Sequence, residues 1–115
     1  MIRVLHMIGC LEMGGSQNFV MNVYRRIDKT KIQFDFIIDK REPDFFSEEI
    51  KSLGGNIYYL PKFNGKNLFK VKKAWNDFFD EHREYKILHS HVRSYASLYL
   101  PIAKKRGLKT IIHSH

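Results

Sequence analysis

Two rhythms of hydrophobic and polar positions alternate along this chain. The apolar run Ile2-Arg3-Val4-Leu5-His6-Met7-Ile8 predicts a strand, and the glycine-bearing loop Gly9-Cys10-Leu11-Glu12-Met13-Gly14-Gly15-Ser16-Gln17-Asn18 follows it. Phe19, Val20, Val23, Tyr24 and Ile27 then recur at helical spacing, with Arg25 and Arg26 on the other face and Ser16 placed as N-cap. A second strand is predicted at 33–39, followed by a helix over 43–53 with Phe46, Ile50 and Leu53 inward and Gly54-Gly55 as its stop. Residues 56–60 read as a third strand closed by Pro61. Asn67 caps the clearest helix, whose Leu68, Val71, Trp75, Phe78, Phe79 and His82 form one stripe and read as core. A fourth strand at 86–89 and a fifth at 109–113 flank a helix over 94–106, ended by Gly107. Pro101 inside that helix predicts a kink or a late start.

Strands separated by helices throughout argue an α/β fold, a doubly wound, right-handed parallel sheet. Rossmann-type winding puts its five strands in the order 3-2-1-4-5, and ligands of such sheets bind at the carboxyl ends of the strands. No linker, low-complexity tract or domain boundary interrupts the 115 residues, which form one domain at most.

Composition narrows the class. A hydrophobic content of 43%, with nine Phe, six Tyr and one Trp, supplies a core and excludes disorder. The net charge of +8 points to an anionic environment, yet the cations are spread over helices and loops rather than gathered in one tract. Nucleic acid is not an expected partner, because no binding motif is present and the aromatics are spent on helix cores. Attraction to anionic lipid is a second use for the cations, through Arg25, Arg26, Lys29 and Lys31, then Lys66, Lys70, Lys72 and Lys73. The lone cysteine, Cys10, excludes an intrachain disulfide and reads as a small buried thiol in a reducing compartment. No run reaches the length of a membrane span, so the expected location is cytoplasmic, with a peripheral seat on the inner face of the plasma membrane as its extension.

Candidate chemistry lies at two places. A strand, a Gly-rich loop and a helix in that order aim free N–H groups and the positive helix end at one spot, and Gly14 and Gly15 let a ligand approach the backbone. This is anion-binding geometry, although neither the dinucleotide fingerprint nor the P-loop pattern is present. The second place is a near repeat, Ile87-Leu88-His89-Ser90-His91 and Ile111-Ile112-His113-Ser114-His115. Alternation puts His89 with His91, and His113 with His115, on one crevice at the carboxyl edge. Three uses stay open: a metal site, which lacks a supporting Cys or carboxylate; structural histidines at strand ends; and a polar pocket that recognises hydroxyls and stabilises charge. Ser90 and Ser114 lack a nucleophile-elbow context, and Asp35, Asp39 and Glu12 show no paired-carboxylate spacing.

Together these residues resemble a known family. Gly14-Gly15-Ser16-Gln17-Asn18-Phe19-Val20-Met21-Asn22-Val23 is similar to the "GG(A/S/V)(E/Q)" loop and helix that open the N-terminal domain of family 4 glycosyltransferases. Leu88-His89-Ser90-His91 and Thr110-Ile111-Ile112-His113-Ser114-His115 resemble that family's "vvHaH" and "vvyTvH" strand ends, closest in flavour to bacterial capsular and exopolysaccharide transferases. The resemblance implies a GT-B architecture of two Rossmann-like domains, retention of anomeric configuration, and no metal or other cofactor. It implies a nucleotide-sugar donor whose diphosphate meets Gly14, Gly15 and Ser16. A glycan or lipid-linked acceptor would meet Gln17, Asn18, His89, His91 and Arg93. The catalytic histidine would be His115, or His113 after a two-residue slip. The family's donor-binding second domain has no counterpart here, so 1–115 reads as a partial, acceptor-side domain that is inactive alone. A small flavodoxin-like or receiver-like α/β binding module is the competing class.

Overall fold

The computed structural model describes residues 1–92 and 94–113. Nine elements follow in strict alternation: β1 (Ile2–Gly9), α1 (Gly15–Arg26), β2 (Ile32–Ile38), α2 (Ser47–Ser52), β3 (Ile57–Tyr59), α3 (Leu68–Glu81), β4 (Ile87–Ser90), α4 (Ala96–Lys105) and β5 (Lys109–Ile112). All five strands are parallel and lie in the order β3-β2-β1-β4-β5. That is the Rossmann-type order expected from the alternation. It differs from the 2-1-3-4-5 order of flavodoxins and receivers, which removes the competing class as it was framed.

The strands are apolar on both faces because both faces are covered near the sheet centre. On one side Leu5, Met7, Ile37 and Leu88 pack against Val71, Trp75, Phe78, Tyr99 and Ala103 of α3 and α4. Trp75 and Tyr99 stack with ring centroids 4.4 Å apart and planes within 8°. On the other side Ile8, Phe34, Phe36 and Ile38 meet Val20, Met21 and Tyr24 of α1 and Ile50 of α2. Asp35 is fully buried and satisfied structurally: Arg3 contacts it at 2.9 Å, Tyr85 Oη donates to it at 2.5 Å, and Asn56 N at 2.8 Å. Burial and that carboxylate push the Tyr85 hydroxyl pKa well up.

Several expectations change at this level. The buried side of α1 is Gln17, Val20, Met21 and Tyr24, while Phe19 and Val23 are 50% and 37% exposed. The helix is rolled so that its buried residues pack with Ile8 of β1 and Phe34, Phe36 and Ile38 of β2, while Phe19 meets His113 just past β5. Ser16 is not the N-cap; Gly14 is, in an extended conformation, and Asn18 N makes the first helical bond to its carbonyl at 2.9 Å. α2 is shorter than 43–53, because Asp44 Oδ1 accepts from Ser47 N at 3.0 Å and Phe46 N at 3.3 Å, delaying the start. α4 starts late, at Ala96, and carries Pro101 within it.

Candidate functional site

The carboxyl ends of β1, β2, β3 and β4 open onto a crevice of about 230 Å3, lined by Gly9, Gln17, Asp39, Lys40, Lys62 and Ser94 among others. Its walls are fixed by hydrogen bonds. Gly9 leaves β1 at φ +84, a conformation that favours glycine, and a Cβ there would meet Val92 Cγ2 at 3.1 Å. The Gly9 carbonyl accepts from Asp39 N at 2.8 Å and Lys40 N at 3.1 Å, tying the ends of β1 and β2. Tyr95 Oη donates to Asp39 Oδ2 at 2.6 Å. Ser90 Oγ and Tyr99 Oη bond each other, one donating to the other, and the Val92 carbonyl within reach of both accepts the remaining proton, which pins the loop after β4.

The predicted anion-binding residues stand at the start of α1. Gln17 is buried and donates its Nε2 to the Cys10 carbonyl at 2.8 Å, bracing the loop from within. A Cβ at Gly14 would meet Gln17 Oε1 at 2.6 Å, so Gly14 serves that brace. Gly15 is different: among the described residues, its chain neighbours and own helix backbone aside, nothing lies within 4 Å of where its Cβ would be. The fold itself makes no demand for glycine at 15, and the first helical N–H groups have no intrahelical acceptor. Asn18 is exposed on the same turn.

His89, His91 and His113 converge, with an addition, though none of them is among the residues lining that crevice. His89 lies in β4 directly opposite His6 of β1, and His91 N donates to the Met7 carbonyl at 2.8 Å. Ring centroids are 5.1 Å apart for His6–His89, 5.4 Å for His6–His91 and 4.4 Å for His89–His91. His113, just past β5, stands 5.6 Å from both His89 and His91 and meets Phe19 edge-on at 5.3 Å. The exposed Phe19 therefore connects the histidine face to the first turns of α1. Arg93, Ser114 and His115 lie outside the described residues, so the geometry places His113 alone of the two catalytic candidates.

His6 is the residue that sequence reasoning missed; it stands inside the first predicted strand and was given no role there. It takes the inward slot between Val4 and Ile8, is 3% exposed, and packs on Phe34 and Phe36. Burial, and then His91 and His89, push its pKa well below the usual histidine range, which keeps the ring neutral. Its signal in the sequence was parity: it shares the i, i+2 row of Val4 and Ile8. Of the described residues, the group able to hold a metal ion is His6, His89 and His91.

Comparison with known proteins adds a likeness in sequence and two in fold. The chain is 32% identical over 114 residues to "Putative glycosyltransferase EpsF" of Bacillus subtilis (strain 168), a match covering 98% of this chain and 30% of that one. Over nearly all its length the chain is thus similar to one part of a longer glycosyltransferase-like protein. Its fold is that of a crystal structure of Acinetobacter baumannii MurG, at TM-score 0.68 and 13% identity, covering 99% of this chain and 35% of that one. A second likeness of fold alone is the C-terminal domain of the PF1911 hydrogenase of Pyrococcus furiosus, at TM-score 0.62 and 12% identity, with 96% and 89% covered. No protein-family model matches the sequence. The chain thus spans about a third of the length of EpsF and of MurG.

Among the described residues no helix is long and apolar enough to cross a membrane. The two basic groups named for lipid attraction stand on different layers: α1 covers one side of the sheet and α3 the other. Arg25 is engaged by Glu49 at 2.5 and 2.7 Å, and Lys73 by Asp77 at 2.7 Å.

Proposed function

We propose that this chain is the acceptor-side Rossmann-like part of a retaining family 4 glycosyltransferase. It would move a sugar from a nucleotide-sugar donor to a polysaccharide or lipid-linked acceptor, without a metal in the transfer step. The observation that carries the reading is Gly15. At the start of a helix, in a chain similar to a glycosyltransferase over nearly all its length, a glycine stands where the fold leaves open space for a side chain. A donor diphosphate approaching the N–H groups of Gly14, Gly15 and Ser16 would use that space. Leaving-group charge would be stabilised there by preorganised N–H groups as the glycosidic bond breaks. Acceptor and sugar hydroxyls would meet Asn18 and the N–H edges of His89, His91 and His113, with Arg93 and His115 as further candidates.

Titration of the labelled chain with a nucleoside diphosphate tests this through the amide resonances of residues 14–17. Those amides are expected to shift, and Gly15→Ala is expected to abolish the shifts while leaving the melting temperature unchanged or higher. Ala is up to about 1 kcal/mol more favourable than Gly in a helix, so the fold is not harmed. Undiminished shifts in Gly15→Ala, or shifts only around Lys40 and Lys62, would overturn the placement of the diphosphate.

A further inference from the structure

Three imidazoles from distant parts of the chain meet on the side of the sheet that α1 covers. We propose that His6, His89 and His91 form a site for one divalent transition-metal ion of the zinc type, tying β1 to β4 and to the loop after it. One nitrogen from each ring lies within 4.8 Å of the other two, and His6 Nδ1 and His91 Nε2 are 3.1 Å apart. Two nitrogens bound to one tetrahedral zinc, each about 2.0–2.1 Å from it, stand roughly 3.3 Å from one another. That pair already has the spacing of co-ligands. The third ring, His89, stacks on His91 with centroids 4.4 Å apart, which sets its nitrogen beside that pair.

The backbone holds these positions firmly. His6 and His89 are register partners on neighbouring parallel strands, and the His91 amide is hydrogen-bonded to Met7. His6 is wedged against Phe34 at 4.2 Å and Phe36 at 5.6 Å between ring centroids. Its Nε2 is buried without a hydrogen-bond partner among the described residues, which is costly unless the ring does something that repays it. With Nδ1 on a metal, Nε2 carries the proton and points its N–H toward the aromatic shell.

The donor set selects the ion. Neutral imidazoles suit zinc, cobalt, nickel or copper, whereas magnesium and calcium want oxygen ligands. Three protein ligands leave a fourth position open to water. The ion is structural in this proposal and takes no part in sugar transfer. His89 and His91 each keep one N–H for the hydroxyl contacts proposed above.

Cobalt and zinc titrations of the 115-residue chain test the site. The expected result is one cobalt per chain with the visible d–d bands of a four-coordinate centre, displaced by zinc, and a zinc-dependent rise in melting temperature. His91→Gln, beyond the end of β4, and His6→Gln should each weaken binding by at least roughly 100-fold, more than an outer-shell partner is worth. His82→Gln, at the end of α3 on the opposite layer, should bind as the parent does. If His6→Gln fails to fold, His91→Gln and His89→Gln carry the test. Absence of the cobalt bands in the folded parent chain would overturn the proposal. So would undiminished binding in a folded His91→Gln, or its loss in His82→Gln.

Discussion

Cys10 sits at the turn out of β1, 8% exposed, with its Sγ donating to the Pro43 carbonyl at 3.1 Å. Burial, and secondarily the Glu12 carboxylate, push its thiol pKa up. Since the thiolate is the reactive form, alkylation of the folded chain near pH 8 is expected to be far slower than in denaturant. Equal rates in the two states would show that the loop opens freely. The neighbouring glycines separate by the same kind of residue-level reasoning. Gly9 is demanded by a positive φ and by Val92, and Gly14 by the Gln17 brace, whereas Gly15 is demanded by nothing among the described residues. All three look alike as letters. His6 was equally hard to read, because a histidine in an apolar strand carries no sign of what stands opposite it. Only the parallel register brings His89 there.

At the scale of elements, α3 matches its reading best. Val71, Trp75, Phe78 and Phe79 are all buried, with Leu68 and His82 half-buried at its two ends. Trp75 →Ala is expected to cost about 3–5 kcal/mol, from lost burial and the cavity left against Tyr99. Trp75→Phe should cost much less, since the indole N–H is buried with no hydrogen-bond partner among the described residues. Denaturant unfolding of the two variants would check the order, and a Phe variant as unstable as the Ala one would refute the packing argument. The roll of α1 was not legible for a definable reason. Phe19 and Val23 are as apolar as Val20 and Met21, so helical spacing alone cannot say which of two overlapping stripes the sheet covers.

At the scale of the whole molecule, the strand order was legible because strictly alternating elements and right-handed crossovers leave few topologies. The edge on which the site lies followed from that order. What each histidine touches did not, being set by register and by helix coverage. The donor chemistry proposed above needs groups beyond a single acceptor-side unit. The 115-residue chain is accordingly expected to turn over no nucleotide sugar, and release of nucleoside diphosphate by the purified chain would contradict this. In a longer protein containing this sequence, His113→Ala is expected to lower turnover by a factor on the order of 10²–10³, as for removal of one preorganised hydrogen-bond donor. Donor binding should change far less. An unchanged rate after Ala at both 113 and 115 would remove the histidine face from the reaction.

The placement of β1 at the centre of the sheet has a consequence in time. β1 is made first among the five strands, yet one of its edges pairs with β2 and the other with β4, whose residues begin 85 positions after Ile2. At the usual pace of synthesis, roughly 5–20 residues per second, that second edge waits several seconds for its partner. The half made of β1, α1 and β2 can assemble while the ribosome is still working, whereas the three-histidine cluster cannot exist until residue 91 has emerged. Closure of that cluster is therefore a late event in the life of each new molecule, and a marker that the central strand has been enclosed.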